Sequence, residues 1–348
     1  MTSEAISSAV PSEQPSSFRK WWARTTRVRA AYLYLVPAFF VMAIITFYPL
    51  VYQIWMSFTD YDISNLRVGS EAPDWVGLQN YMEIFSGDLA RLIPNFSFWR
   101  TLAFNLVWTF TNVPVHIVVG VLIAVLLNIE GLWFKRFYRA IYVLPIILPT
   151  LVIATVWRNM YDANYGAINQ SLAAIGGLFN IPPETFRIRW FQDVTPPFAW
   201  FLPGLPLPLS YYAMLIANIW LGWPFNTIVA TGALQSIPKD LYEAASIDGA
   251  TSSQQFWNIT VPLLRPAMVP AAVYGITMTF NLFNFIYMMS GGGPLRQTEI
   301  LVTTAFNLVN AQRLYGMAAA FSVIVFVVLG ALTLFTNWMT RATERYDI

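Results

Sequence analysis

A lysine can hold a nucleotide phosphate where it closes a glycine-rich loop ending in Gly-Lys-Ser/Thr. The chain has three lysines, Lys20, Lys135 and Lys239, and none follows a glycine. ATP hydrolysis by that route is excluded. The glycine run Gly291-Gly292-Gly293-Pro294 lacks a lysine and reads as a tight turn. Cysteine is absent, which excludes disulfides, thiolate metal sites and cysteine nucleophiles. The single histidine, His116, rules out a multi-histidine metal site. It lies in an apolar stretch, where a hydrogen-bonded packing role comes before a proton relay. No Ser–His, paired-Asp or metal constellation for hydrolysis is assembled.

What remains is amide and aromatic. Residues 211–235 carry Asn218, Trp220, Leu221, Gly222, Trp223, Pro224 and Phe225. Residues 267–289 carry Thr277, Phe280, Asn281, Phe283, Asn284 and Phe285. Amides and flat rings suit a neutral, polyhydroxyl ligand. In a helix, Asn281 and Asn284 fall on one side, and Phe280 and Asn284 are one turn apart. An asparagine in an apolar span is costly unless satisfied, so the pair points to a polar cavity. Interhelical hydrogen bonding that only holds a bundle together is the other reading.

The elements that must position these residues are membrane helices. Hydrophobic residues make up 57% of the 348 and charged residues only 11%, against about 25% in soluble domains. Six stretches are long enough to cross a hydrocarbon core of about 30 Å. They lie near 30–58, 102–128, 140–157, 211–235, 267–289 and 316–340, and none contains Asp, Glu, Lys or Arg. Prolines 37, 49, 114, 145, 149, 224 and 270 interrupt them. Such prolines read as packing kinks, with Pro224 the best candidate for a broken helix beside a substrate path.

Residues 1–29 read as a polar, disordered tail ending in a basic cluster, Arg19, Lys20, Arg24, Arg27 and Arg29. The apolar stretch that follows is too long for a signal-peptide core. Lys135, Arg136 and Arg139 lie between spans two and three, and Arg341 and Arg345 in the short tail 341–348. The positive-inside rule then puts both termini in the cytoplasm. Beyond the N-terminal cluster there is no basic patch for nucleic acid. Of the two long outer loops, 158–210 is rich in Pro and aromatics (Pro182, Pro183, Pro196, Pro197, Trp190, Phe191, Trp200), which suggests a packed cap that a partner could touch.

Between spans four and five lies a cytoplasmic loop, 237–265. Pro238 suits the first turn of a helix, Asp240 and Glu243 its positive end, and Gly249 its stop. Ser252 or Ser253 can cap a second short helix ending before Pro262. Ala244 and Ala245 leave a low surface that a partner backbone can approach. Spacing alone fits an interfacial helix resting on headgroups equally well.

Glu243-Ala244-Ala245, three residues, Gly249, nine residues, Ile259, one residue, then Val261-Pro262 resembles the EAA loop of bacterial ABC-importer permeases. The departure is Val261 where leucine is usual. Thr46-Phe-Tyr-Pro, Ser57-Phe-Thr-Asp, Val76-Gly-Leu-Gln-Asn-Tyr, Leu144-Pro, Gly166-Ala-Ile-Asn and Gly291-Gly-Gly-Pro are similar to the carbohydrate-uptake branch. Within that branch the chain most resembles the larger membrane subunit of maltose importers. It departs in lacking extra N-terminal spans and a very large periplasmic domain.

The resemblance implies an all-α membrane protein, a six-span type I importer permease with a cytoplasmic coupling helix, in the bacterial cytoplasmic membrane. It implies that Glu243, Ala244, Ala245, Asp248 and Gly249 couple to separate ATPase subunits. ATP and Mg would be bound by those two ATPase subunits, with no cofactor in this chain. A second permease subunit, an extracytoplasmic sugar-binding protein and the lipid bilayer complete the partners. Asn218, Leu221, Gly222, Phe225, Thr277, Phe280, Asn281 and Asn284 match positions lining a maltose site. Phe225 stands where a tyrosine is found, and Thr277 at a serine position. The expected cargo is a neutral di- or oligosaccharide of maltose, maltodextrin or trehalose type. A stand-alone sugar facilitator or sodium-coupled carrier is the alternative.

Overall fold

The computed structural model describes residues 32–129, 131–197 and 207–340. The tails expected at 1–29 and 341–348, and Trp200 of the second outer loop, lie outside the described residues. The chain forms two units, Met1–Trp55 and Met56–Ile348. The first holds nearly all of helix α1, Tyr32–Met56. A π turn at Ala43–Phe47 interrupts it, closed by the Tyr48 N–H reaching the Ala43 carbonyl. Pro49 explains the turn: its ring crowds the carbonyl four residues back, at Ile45, and the wider turn makes room.

In the second unit, helices α2 (Gln79–Ser86), α3 (Phe98–Asn128), α4 (Lys135–Ile147), α5 (Thr150–Met160) and α6 (Ala167–Gly177) come first. Then follow α7 (Leu209–Ser236), α8 (Lys239–Ile247), α9 (Ser252–Phe280), α10 (Phe283–Met289), α11 (Leu301–Asn310) and α12 (Tyr315–Thr340). Among the described residues, five helices, α1, α3, α7, α9 and α12, are long and apolar enough to cross a bilayer, and the α4/α5 pair makes a sixth if counted as one bent span.

Four expectations need correction. The span expected at 140–157 is not one helix: α4 and α5 meet at 98°. Leu148 is extended ahead of Pro149, as a residue before proline must tend to be. The second short helix does not end before Pro262. Thr251 caps it with Gln254 in a capping box, and it runs through a π turn at Phe256–Thr260 into the membrane-length helix α9. Pro262 acts here as Pro49 does in α1, crowding a carbonyl that lies within the π turn. The span expected at 267–289 stops at Phe280, with Asn281 and Leu282 outside helical geometry before α10 begins. The helix through Pro224, by contrast, is unbroken.

Helix α3 is the spine of the second unit. Its start packs with α2, α11 and α12 around Phe98, Leu308 and Phe321. Its middle joins α5, α7 and α10 around Trp108, Met214 and Phe285. Its end joins α7 and α9 around Ala124, Ala230 and Leu264. The segment before α2 is tied back by Asn80, which donates to the Ser57 and Thr59 carbonyls at 2.9 and 2.8 Å. In the second outer loop, Trp190 and Phe191 pack on Tyr161. The Trp190 indole donates to Asn169 at 2.8 Å.

Candidate functional site

Along α3, Asn105, Thr109, Asn112 and His116 recur at four, three and four residues, which places them on one helix face. All four are buried. Asn112 accepts a 2.8 Å hydrogen bond from the Asn218 amide and donates to the Trp108 carbonyl at 2.7 Å. The His116 Nε2 lies 2.9 Å from the Asn218 carbonyl oxygen, so His116 has the packing role expected of it. Tyr211 on α7 donates to Thr111 at 2.8 Å, and Thr227 donates to the Gly120 carbonyl at 3.1 Å. This is a polar seam between α3 and α7, of the kind that holds helices together where both solvents are apolar.

Two glycines let the seam close. A Cβ on Gly222 would fall 2.2 Å from His116 Cε1, and one on Gly120 would fall 2.6 Å from Asn226 Cβ. Gly222 is therefore a close-approach residue against His116. Asn218 is 2% exposed, and its side chain is held in the seam.

The remaining expected residues divide into two groups. Phe280 is fully buried, and Leu221 packs against the cluster around Trp108. Phe225 is exposed and tilts against Tyr274 of α9, ring centres 5.4 Å apart. Thr277 is half-buried and donates to the Val273 carbonyl at 3.1 Å. Asn281 is half-buried and Asn284 exposed. Among the described residues, neither of these two amides has a hydrogen-bond partner. The expectation that Asn281 shares a helix face with Asn284 does not hold, nor does the one-turn pairing of Phe280 with Asn284. Asn281 lies in the break that follows Phe280, and Asn284 lies in α10 beyond it. Trp220 and Trp223 instead pack the bent span onto α7, against Trp157 and Tyr142.

The residue that fixes the break was missed in the sequence. Asn105, fully buried, donates to the Phe280 carbonyl at 3.1 Å and accepts from the Leu301 N–H at 3.0 Å. One amide thus satisfies the end of α9 and the start of α11, both short of intrahelical partners. The signal that could have found it is the polar spacing along the otherwise apolar span two.

At the other end of α7, α8 is held by side chains. The Tyr242 and Thr260 hydroxyls are 2.9 Å apart, and Gln255 donates to Ser246 at 2.8 Å. Gly249 takes φ +79°, and the Ala250 N–H returns to the Ala245 carbonyl at 2.9 Å, a glycine stop of the expected kind. Leu241, Ala244, Ile247 and Asp248 stay exposed, Ile247 at 87%. Glu243 lines a cavity of about 720 Å³ with Asn128, Gln235, Lys239, Tyr242 and Gln255.

Membrane-length helices, a polar seam between α3 and α7 and a short exposed helix between α7 and α9 define a multi-pass membrane protein. Residues 116–345 match the family of binding-protein-dependent transport system inner membrane components. The chain is 32% identical over 327 residues to the galactooligosaccharides transport system permease protein GanP of Bacillus subtilis, covering 92% of this chain and 72% of that one. It is 31% identical over 306 residues to the trehalose/maltose transport system permease protein MalF of Thermococcus litoralis, covering 88% and 92%. The fold matches a chain of the bacterial alginate ABC transporter solved in complex with an alginate pentasaccharide-bound periplasmic protein. The TM-score is 0.71 at 20% identity, over 94% of this chain and 99% of that one. The chain belongs to the binding-protein-dependent permease family, in its carbohydrate-uptake branch, and has the type I ABC importer permease fold.

Proposed function

We propose that the chain forms half of the translocation path of an ATP-driven importer for a neutral di- or oligosaccharide of maltose, maltodextrin or trehalose type. The carrying observation is the contrast among span asparagines. Asn105, Asn112 and Asn218 are hydrogen-bonded within the bundle. Asn281 and Asn284, beside a helix break, have no partner among the described residues. Unpaired amides at membrane depth suit a hydroxyl-rich ligand. No charged residue lies in the six expected spans, which favours a neutral glycoside over an acidic one. Thr277, Phe225 and Leu221 border the same α7/α9 region, while Asn218, Gly222 and Phe280 support it from behind.

Energy enters at α8. Its exposed face around Ala244, Ile247 and Asp248 fits the cleft of an ATPase subunit, with Glu243, Ala245 and Gly249 setting the shape of the loop. Two such subunits bind ATP and Mg, a second permease completes the path, and an extracytoplasmic sugar-binding protein delivers the cargo. This chain is then non-catalytic, with both termini cytoplasmic.

The test is uptake by the complete transporter in proteoliposomes. Asn281→Ala and Asn284→Ala lower sugar uptake and leave ATPase docking intact. Glu243→Lys and Gly249→Pro uncouple ATP hydrolysis from uptake. Sugar flux through this chain alone, or normal transport by all four variants, refutes the proposal.

A further inference from the structure

Tyr274 has no place in the site read from the sequence. It is 50% exposed on α9, and its ring meets the 39% exposed ring of Phe225 on α7 at 5.4 Å and 42°. Tyr274 and Thr277 are three apart and Tyr274 and Asn281 seven apart, so they run up one face of α9 to its break. Tyr81, Tyr211 and Tyr242 engage their hydroxyls with Ser57, Thr111 and Thr260, whereas Tyr142 and Tyr287 bridge elements of this unit by their rings. Among the described residues, the Tyr274 hydroxyl has no partner. Its neighbour on this face, Met278, is apolar and half exposed.

An unpaired phenol on an uncharged span face is a cost unless a ligand meets it. We infer that Tyr274 is a sugar-contacting, specificity-determining residue, its ring forming a stacking platform with Phe225 and its hydroxyl bonding a sugar hydroxyl. The inference rests on the sugar path proposed above.

The experiment uses the complete transporter in proteoliposomes, with labelled maltose, trehalose and β-linked galactobiose as probes. Tyr274→Phe lowers kcat/KM for the carried sugar about fivefold, the worth of one net hydrogen bond. Tyr274→Leu, which also removes the platform, lowers it further. Phe225→Tyr in the Tyr274→Phe background recovers rate or changes the ranking of the three probes. A purely structural tyrosine would do neither. Wild-type kinetics in Tyr274→Phe, with the probe ranking unchanged in the double variant, overturn the inference. So does a Tyr274→Leu that lowers only the yield of assembled transporter, since that marks a contact with the second permease. Asn281→Ala separates the levels: if it impairs uptake while Tyr274→Phe does not, only Tyr274 falls. If neither impairs uptake, the sugar path itself falls.

Discussion

Replacing Gly120 with alanine tests the seam between α3 and α7 at its narrowest point. The new Cβ would lie 2.6 Å from Asn226 Cβ and 3.0 Å from both the Asn226 carbonyl carbon and the Thr227 nitrogen. Two of the three are backbone atoms, so no rotamer change relieves the overlap. The helices must part by nearly an ångström to reach ordinary contact, which stretches the 3.1 Å bond from Thr227 to the Gly120 carbonyl. Overpacking of this kind costs about 1–3 kcal/mol. The interhelical bond is worth about 0.6 kcal/mol in a membrane bundle. Alanine recovers about 1 kcal/mol of helix propensity over glycine. The net expectation is a loss of about 1.5 kcal/mol. Gly232 supplies the control, since it is in α7 with nothing within 4 Å of its added Cβ. There only the propensity gain operates, about 1 kcal/mol in the stabilising direction. Equilibrium unfolding of the purified chain in mixed micelles measures both. If Gly120→Ala is as stable as Gly232→Ala, the close approach of α3 and α7 is not the constraint argued here.

Asn105→Leu leaves the Phe280 carbonyl and the Leu301 N–H without their buried partner, at about 1–3 kcal/mol each. The same unfolding assay should show a loss larger than that of Gly120→Ala. Asp162 follows α5, and its carboxylate accepts the N–H groups of Tyr165 and Asn164. These bonds, that from Tyr165 foremost, hold its pKa below the ordinary carboxylate value. A depressed carboxylate stabilises its turn above the unfolded pKa and loses that effect as pH falls through the folded value. The protection factor at the Tyr165 amide, with intrinsic exchange divided out, should therefore fall on acidification below about pH 4, and Asp162→Ala should remove that fall.

That the chain is built of apolar helices of membrane length, five or six in the described residues, was legible because length and the absence of charge are local properties. Their interruptions were not. Proline was the available signal, and it marks three different outcomes in one chain. Pro114 and Pro224 sit inside unbroken helices. Pro49 and Pro262 accompany π turns, and Pro149 stands at a 98° bend. A proline removes one N–H and crowds one carbonyl wherever it falls. What the helix does next depends on the neighbours that satisfy the freed group. The break at Asn281 has no proline beside it. The side-chain bond to the carbonyl at that helix end comes from Asn105, 175 positions away in sequence, and no local pattern encodes that. The short motifs fared differently. Ser57-Phe-Thr-Asp and Val76-Gly-Leu-Gln-Asn-Tyr belong together because Asn80 of one bonds the carbonyls of the other. Gly166-Ala-Ile-Asn is compact because a Cβ on Gly166 would meet the Met160 and Asp162 carbonyls within 2.5 Å.

The same reasoning sorts the site. Residue type singled out Asn218, Asn281 and Asn284 alike, since an amide in an apolar span is conspicuous wherever it points. Partners separate them. Asn218 donates to Asn112 and lends its carbonyl to His116, so substituting it removes a strut of the wall. Asn281 and Asn284 have no partner among the described residues, and they stand one in the break and one in the helix after it rather than on one helix face. A single helix face would present two amides to one side of a ligand. Two helix ends meeting at a break can present them at an angle, which suits the out-of-plane hydroxyls of a sugar ring. In the sugar path proposed above the break is then a working element, and Asn105, buried, shapes it through its bonds to the Phe280 carbonyl and the Leu301 N–H.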